Sequence, residues 1–386
     1  MQVEPQGQTD SRFTAVRDEF ISLWQDIEVG AGVSAWVDGE PVVDLTAGWV
    51  DRALAVPWQP DTLINIYSTT KGLAALALAI AVDEGLVDYD EKVTTYWPEF
   101  GQAGKEDVTV AMLVSHRAGL VGVDDRLTVP ALYDWPAMIH RLETQAPFWP
   151  PGTAAGYHAV TWGYFPGEII RRVTGKTLGA WFQEKVAAPL GADCFIGVPD
   201  EALARCAPLM GPNHARVQAK ERAEAEVGEF YEAALLNPPI TPFRDASSTP
   251  WRQAEIAASN GHATAGGLGR IYAALSMGGE LAGQRIISNA ALDLACTSEV
   301  EGETDKVLGS PLRRARGFML NQDGNWGPSK LAFGHDGAGG SGAFADPENR
   351  VALAYVMNQM QVHREADRRR RRLVDALYGA IAGALT

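Results

Sequence analysis

Ser68 and Lys71 stand three residues apart in "INIYSTTKGLAALALAIAVDEG", residues 64–85, at the head of an almost wholly apolar run. Side chains at i and i+3 share one helix face, so Ser68 Oγ and Lys71 Nζ come within mutual reach. The first turn of a helix leaves N–H groups unpaired and carries partial positive charge, which stabilises an alkoxide or an oxyanion. Burial acts on the lysine in the opposite sense: it disfavours the ammonium and yields a neutral amine that can take the serine proton. Those are the ingredients of an activated nucleophile. A plainer reading stays open, in which Ser68 caps the helix and Lys71 runs along apolar surface to water.

Two further stretches carry polar groups in suggestive places. "PPGTAAGYHAVTWGY" sets Tyr157 in a loop just before a helical pattern, and "FGHDGAGGSGAF" is a glycine-rich segment around a strand end. His158, beside Tyr157, reads either as a substrate contact or as a packed histidine bonded locally. His116, in "SHRAGL", reads as structural, fixing a nearby loop. Phe148, Trp149, Trp162 and Trp251 are candidates to line an acyl or alcohol pocket, Trp162 foremost because it belongs to the Tyr157 motif. A Ser-His-Asp triad is disfavoured: no serine sits in Gly-x-Ser-x-Gly. His335 and Asp336 are also neighbours on an expected strand, so they point to opposite faces.

Ser-x-x-Lys, then a tyrosine after Pro-Gly-Thr, then a His-x-Gly strand near the C-terminus together resemble the serine β-lactamase and DD-peptidase superfamily. The stretch "YHAVTWGY…GHDGAGGSGAFADPENRVALAYVMN" is most similar to its esterase branch, the family VIII carboxylesterases with a class C β-lactamase fold. The resemblance covers about residues 12–384. It implies that Ser68 is acylated, that Lys71 is its general base, and that Tyr157 shuttles the proton to the leaving group. It also implies an oxyanion hole from the backbone N–H groups of Ser68 and Ala338, with His335 and Gly337 as substrate contacts. Where class C β-lactamases carry Tyr-x-Asn this chain has Ala159, and His-Asp-Gly replaces Lys-Thr-Gly. Both departures favour neutral small or short-chain acyl esters. An amide hydrolase, a weak β-lactamase or an acyltransferase on the same acyl-enzyme is the alternative, and a non-catalytic binding protein a more distant one.

The elements needed to position these residues are legible as patterns. Phe13, Val16, Phe20, Leu23 and Trp24 predict an amphipathic helix over 12–28. "GAGVSAWVDGEPVVDLTAGWV" predicts a hairpin turning at Asp38-Gly39. Helical patterns and proline-rich loops fill about 90–300, and strand signals return from about 312, with a turn at Asp346-Pro347-Glu348-Asn349. A last helix is expected over 362–383. The expectation is one α+β (α/β sandwich) unit over 1–386: an antiparallel sheet with helices from 10–90 and 305–386, and an all-helical insertion over 91–304. Residues 215–250 are expected to form a wall or lid.

Composition narrows the partners. The 386 residues carry a formal net charge of −15, against nucleic acid or an anionic membrane, both of which want a basic face. The arginine run Arg368–Arg372, with Glu365, Asp367 and Asp375 nearby, reads as a solvated helix face. Three scattered cysteines and seven dispersed histidines argue against disulfides, a metal site or any cofactor, and suit a reducing cytoplasm. No apolar run reaches the ~20 residues of a membrane span.

Overall fold

The computed structural model describes residues 3–211, 227–361 and 367–384. Part of the expected lid, 212–226, and the start of the last expected helix lie outside the described residues. Fourteen short or medium strands and six α-helices of ten residues or more organise the rest. The helices are α1 (Thr14–Asp26), α2 (Thr70–Asp83), α3 (Trp135–Thr144), α4 (Tyr164–Thr174), α5 (Ala265–Ser276) and α6 (Arg369–Ala384).

Three N-terminal strands, β1 (Gln6–Thr9), β2 (Gly30–Val37) and β3 (Glu40–Gly48), join six C-terminal ones in a nine-stranded antiparallel sheet. The latter are β9 (Val300–Thr304), β10 (Pro311–Arg314), β11 (Met319–Leu320), β12 (Phe333–Asp336), β13 (Gly342–Asp346) and β14 (Val351–Met357), in the order β1-β3-β2-β14-β13-β12-β11-β10-β9. The β2–β3 hairpin turns where expected, with Asp38 at φ 54° and Gly39 at φ 79°, the paired left-handed residues of a type I′ turn.

Strand alternation explains the layers. On β14, Val351, Leu353, Tyr355 and Met357 face a core shared with α1 and α6. Ala352, Ala354 and Val356 face the opposite core, which contains α5 and α2. The small residues on that second face let α5 pack closely on the sheet. Helix α2 runs through this core with every residue from Thr70 to Ala81 buried, so it has no polar face to offer water.

Three expectations need correction. The middle of the chain is not all helix: β4 (Ile64–Asn65), β5 (Cys194–Ile196) and β6 (Gly261–Ala263) form a small sheet, and β7 (Glu280–Leu281) pairs with β8 (Gln284–Arg285). The C-terminal part of the large sheet begins at Val300 rather than 305, because edge strand β9 exposes four of its five residues and so carries no apolar alternation. The arginine run is not a solvated face. Arg369 is buried and bonded to Glu28, Asp367 and the Gln359 and Gly339 carbonyls, while Arg370 pairs with Asp336 and Arg372 with Glu19. Among the described residues no helix is long and apolar enough to cross a membrane.

Candidate active site

Strand β4 delivers the chain to Ser68 through a sharp bend at Tyr67, whose φ of 44° is left-handed and therefore strained for a bulky residue. The bend is held from three sides. Tyr67 N–H donates to Asn65 Oδ1 at 3.1 Å, its hydroxyl donates to the Pro242 carbonyl at 2.6 Å, and its ring packs on Trp251 at 6.2 Å between centroids. Ser68 follows in a single 3₁₀ turn that runs straight into α2. It is half-buried and sits at the positive end of that helix.

Lys71, one turn on, is fully buried. Its Nζ donates to the carbonyls of Ala159 at 2.8 Å and Ala258 at 3.0 Å, and lies 3.4 Å from Ser68 Oγ. These partners are neutral. Burial first, and the Arg314 cation second, hold its ammonium well below the ordinary lysine range. A neutral amine has two N–H bonds and one lone pair. Two carbonyls take the first two, which leaves the lone pair for the serine hydroxyl.

The structure brings Tyr157 to the same place: Lys71 Nζ is 4.7 Å from its ring centroid. Its neighbour His158 does not fit a substrate contact. The imidazole is fully buried, Nδ1 bonds the Gly156 carbonyl at 2.6 Å, and Nε2 accepts the Leu120 N–H at 2.9 Å. With both nitrogens committed to backbone and burial pushing its pKa down to about 3, it is a neutral brace for the Tyr157 loop. His116 accepts the His158 N–H at 3.0 Å and packs against Tyr157 and Trp162. Trp162 is likewise fully buried, donating to the Val114 carbonyl at 2.9 Å. It props the loop. Trp251 is buried beneath Tyr67, whereas Phe148 is partly exposed and packs on Phe230.

The turn after β12 closes the site. Ser341 Oγ donates to the Ile66 carbonyl at 2.9 Å, which ties the turn to the segment leading into Ser68. Gly337, whatever contact it makes with substrate, is needed there for close packing of the backbone. A Cβ at that position would lie 2.3 Å from the Ile66 carbonyl oxygen and 2.2 Å from Ser341 Oγ, so glycine permits the two backbones to touch. Ala338 follows, exposed in the turn. His335, on β12, points toward Tyr157 with ring centroids 6.3 Å apart. Asp336 points the other way, bonding Arg370 at 2.8 Å, so the pair does not assemble into a triad.

Sequence reasoning missed Asp305 and Arg314, which pack directly behind Tyr157. Nothing local marks them, since Asp305, just past β9, and Arg314, at the end of β10, come from far along the chain. A cavity of about 610 Å³ lined by Leu132, Trp135, Ile139, Glu168, Leu178 and Glu255, among others, includes none of the site residues. Among the described residues no cluster of three or more His, Cys, Asp or Glu side chains is placed to hold a metal ion.

A serine at the head of a buried helix, a lysine one turn on, and a helix-flanked antiparallel sheet define the serine β-lactamase-like class. The chain belongs to the β-lactamase family, whose description matches residues 20–378. It is similar to a crystal structure of a family VIII carboxylesterase, at 43% identity and TM-score 0.91, over 98% of this chain and 100% of that one. A novel penicillin-binding protein homologue from Caulobacter crescentus is 42% identical at TM-score 0.89, over 98% of this chain and 100% of that one. The esterase/beta-lactamase LipL of Mycobacterium tuberculosis is 35% identical over 362 residues, 92% of this chain and 83% of LipL. Fold and family are thus those expected from the sequence.

Proposed function

We propose that this protein is a serine carboxylesterase that hydrolyses small or short-chain acyl esters through an acyl-enzyme on Ser68. The observation that carries the reading is the buried Lys71 amine, held by two carbonyls with Nζ 3.4 Å from Ser68 Oγ. Its lone pair takes the serine proton as Oγ attacks the ester carbonyl. The N–H groups of Ser68 and Ala338 stabilise the oxyanion. Tyr157 passes the proton to the departing alcohol, and a water then releases the acid by the reverse relay. His335 borders the site beside Tyr157.

LipL, an esterase/beta-lactamase at 35% identity, and a family VIII carboxylesterase at 43% support an ester as substrate. Ala159 offers its carbonyl to Lys71 and has no side-chain amide for a β-lactam. That weighs against strong β-lactam hydrolysis. A cytoplasmic location belongs to the same proposal and rests on the three unpaired cysteines; cell fractionation tests it.

Turnover of p-nitrophenyl acetate and butyrate, set against nitrocefin and a D-amino-acid amide, tests the assignment. Ser68→Ala is expected to lose about 10³-fold or more, and Ser68→Ala/Lys71→Ala little beyond that, since the two act as a unit. Additive losses, or nitrocefin turned over faster than the esters, would overturn it.

A further inference from the structure

A deeply buried pair of charges lies directly behind Tyr157. The Arg314 side chain, at the end of β10, is 3% exposed, and that of its partner Asp305 is 1% exposed. Arg314 Nη1 approaches Asp305 Oδ2 to 2.7 Å at an angle too oblique for a well-formed hydrogen bond, so the pairing is chiefly electrostatic. The other carboxylate oxygen accepts the N–H groups of Tyr157 at 3.1 Å, Val307 at 2.9 Å and Leu308 at 2.8 Å. The guanidinium carbon of Arg314 lies 5.2 Å from the Tyr157 ring centroid, and Lys71 Nζ lies 4.7 Å from the same point. Buried ion pairs are poor stabilisers, often matched or bettered by apolar side chains of similar volume. Stability alone does not account for this one.

We propose that Arg314, anchored by Asp305, is a positioning residue for the reaction: it fixes the Tyr157 ring and sets a permanent positive charge beside the amine and phenol that exchange the proton. The inference rests on the roles proposed above for Ser68, Lys71 and Tyr157. The other titratable groups around Lys71 are Tyr157, His116 and His158, with His335 beside Tyr157 and Tyr272 of α5 against the neighbouring Gly72. Burial keeps His116 and His158 uncharged, and pushes the Tyr272 phenol up. Arg314, which stays protonated at any working pH, is a fixed charge beside them, offset in part by Asp305. Like charge favours a neutral amine, so removing it raises the pKa of Lys71 and moves the rising limb of the activity profile to higher pH.

The test uses purified full-length Arg314→Met and Arg314→Lys, with competent sites counted by the p-nitrophenol burst. For each, kcat and KM for p-nitrophenyl acetate are followed from pH 5 to 10. Arg314→Met is expected to lose about 10- to 100-fold in kcat per competent site with KM little changed, as a slightly misplaced proton carrier would. Its rising limb is expected to move up by about one pH unit. Arg314→Lys keeps the charge without the planar fork, so its limb stays near wild type while kcat falls several-fold. An unchanged limb and kcat per site in Arg314→Met, or a loss explained wholly by fewer competent sites, overturns the proposal. Should the Met variant fail to fold, Arg314→Lys decides: wild-type kcat per site overturns the positioning role. Ser68→Ala is run alongside. Full activity there would refute the acyl-enzyme reading instead, which keeps the two failures distinct.

Discussion

Lys71 and Arg369 are both cationic side chains removed from water, and the chain treats them in opposite ways. Arg369 meets Glu28 at 2.8 Å and Asp367 at 2.6 Å and donates to the Gln359 and Gly339 carbonyls. Burial opposes its charge, but Glu28, Tyr355 and Asp367 outweigh burial and hold its pKa above the ordinary value. Lys71 meets two carbonyls and a hydroxyl, with another cation nearby, and is driven toward the neutral amine. Partner chemistry, more than depth, decides whether a buried cation becomes a strut or a base. The strut bears on the proposed base, because the Gly339 carbonyl held by Arg369 belongs to the same turn as Ala338.

The largest expected effect separates the two by activity and by pH. Lys71→Met should lose about 10³-fold or more in ester turnover, while the wild-type rate should rise through one apparent pKa well below 10.4. The stability consequence follows from proton counting. Below the lowered folded pKa both states hold the lysine proton, and the cost of burying it is present in full. Between that pKa and the unfolded value near 10.5 only the unfolded chain keeps the proton, so stability climbs with pH. Relative to Lys71→Met, the wild type should gain about 1.4 kcal/mol per pH unit across that window. Urea unfolding at stepped pH reads it, and a flat difference between the two proteins would mean the lysine is already charged when folded.

Glu28→Ala probes the other region. It leaves Arg369 buried with one carboxylate of two, and breaking such a pair costs about 3 kcal/mol. The thermal midpoint should fall by several degrees, whereas turnover per folded molecule should fall far less than in Lys71→Met. An unchanged midpoint would show that Asp367 alone satisfies the guanidinium.

What the sequence disclosed divides along the same line. Ser68 and Lys71 were readable because their relation is local, a three-residue spacing at a helix head. The Asp38-Gly39 turn was readable for the same reason. His158 was left open between substrate and packing, and Trp162 was put first for a pocket, because adjacency to Tyr157 does not say where a ring nitrogen finds its partner. Both find backbone carbonyls or amides tens of residues away. Arg369 was misread as solvated because a charge run carries no sign of Glu28, which meets it from 341 positions off. Asp305 and Arg314 went unseen because they reach Tyr157 from 148 or more positions along the chain.

The smallest expected effect comes from a third cation that stands between the two. Lys105 is covered, and Nζ donates to the Glu143 and Gln145 carbonyls at 2.9 and 2.6 Å. Like Lys71 it lacks a carboxylate bonded to its amine, but Glu106 and Glu143 lie close enough to oppose burial, and its pKa falls only to about 8. If partner chemistry governs, Lys105→Met should show the same sign of pH-dependent difference over a narrower window, between about 8 and 10.5. Below pH 8 the difference should be flat, where that for Lys71 is expected still to slope. Turnover of p-nitrophenyl acetate should stay within a few-fold of wild type, since no contact links Lys105 to Ser68. Equal windows for the two lysines would show that depth alone sets their charge, and the distinction between strut and base would fail.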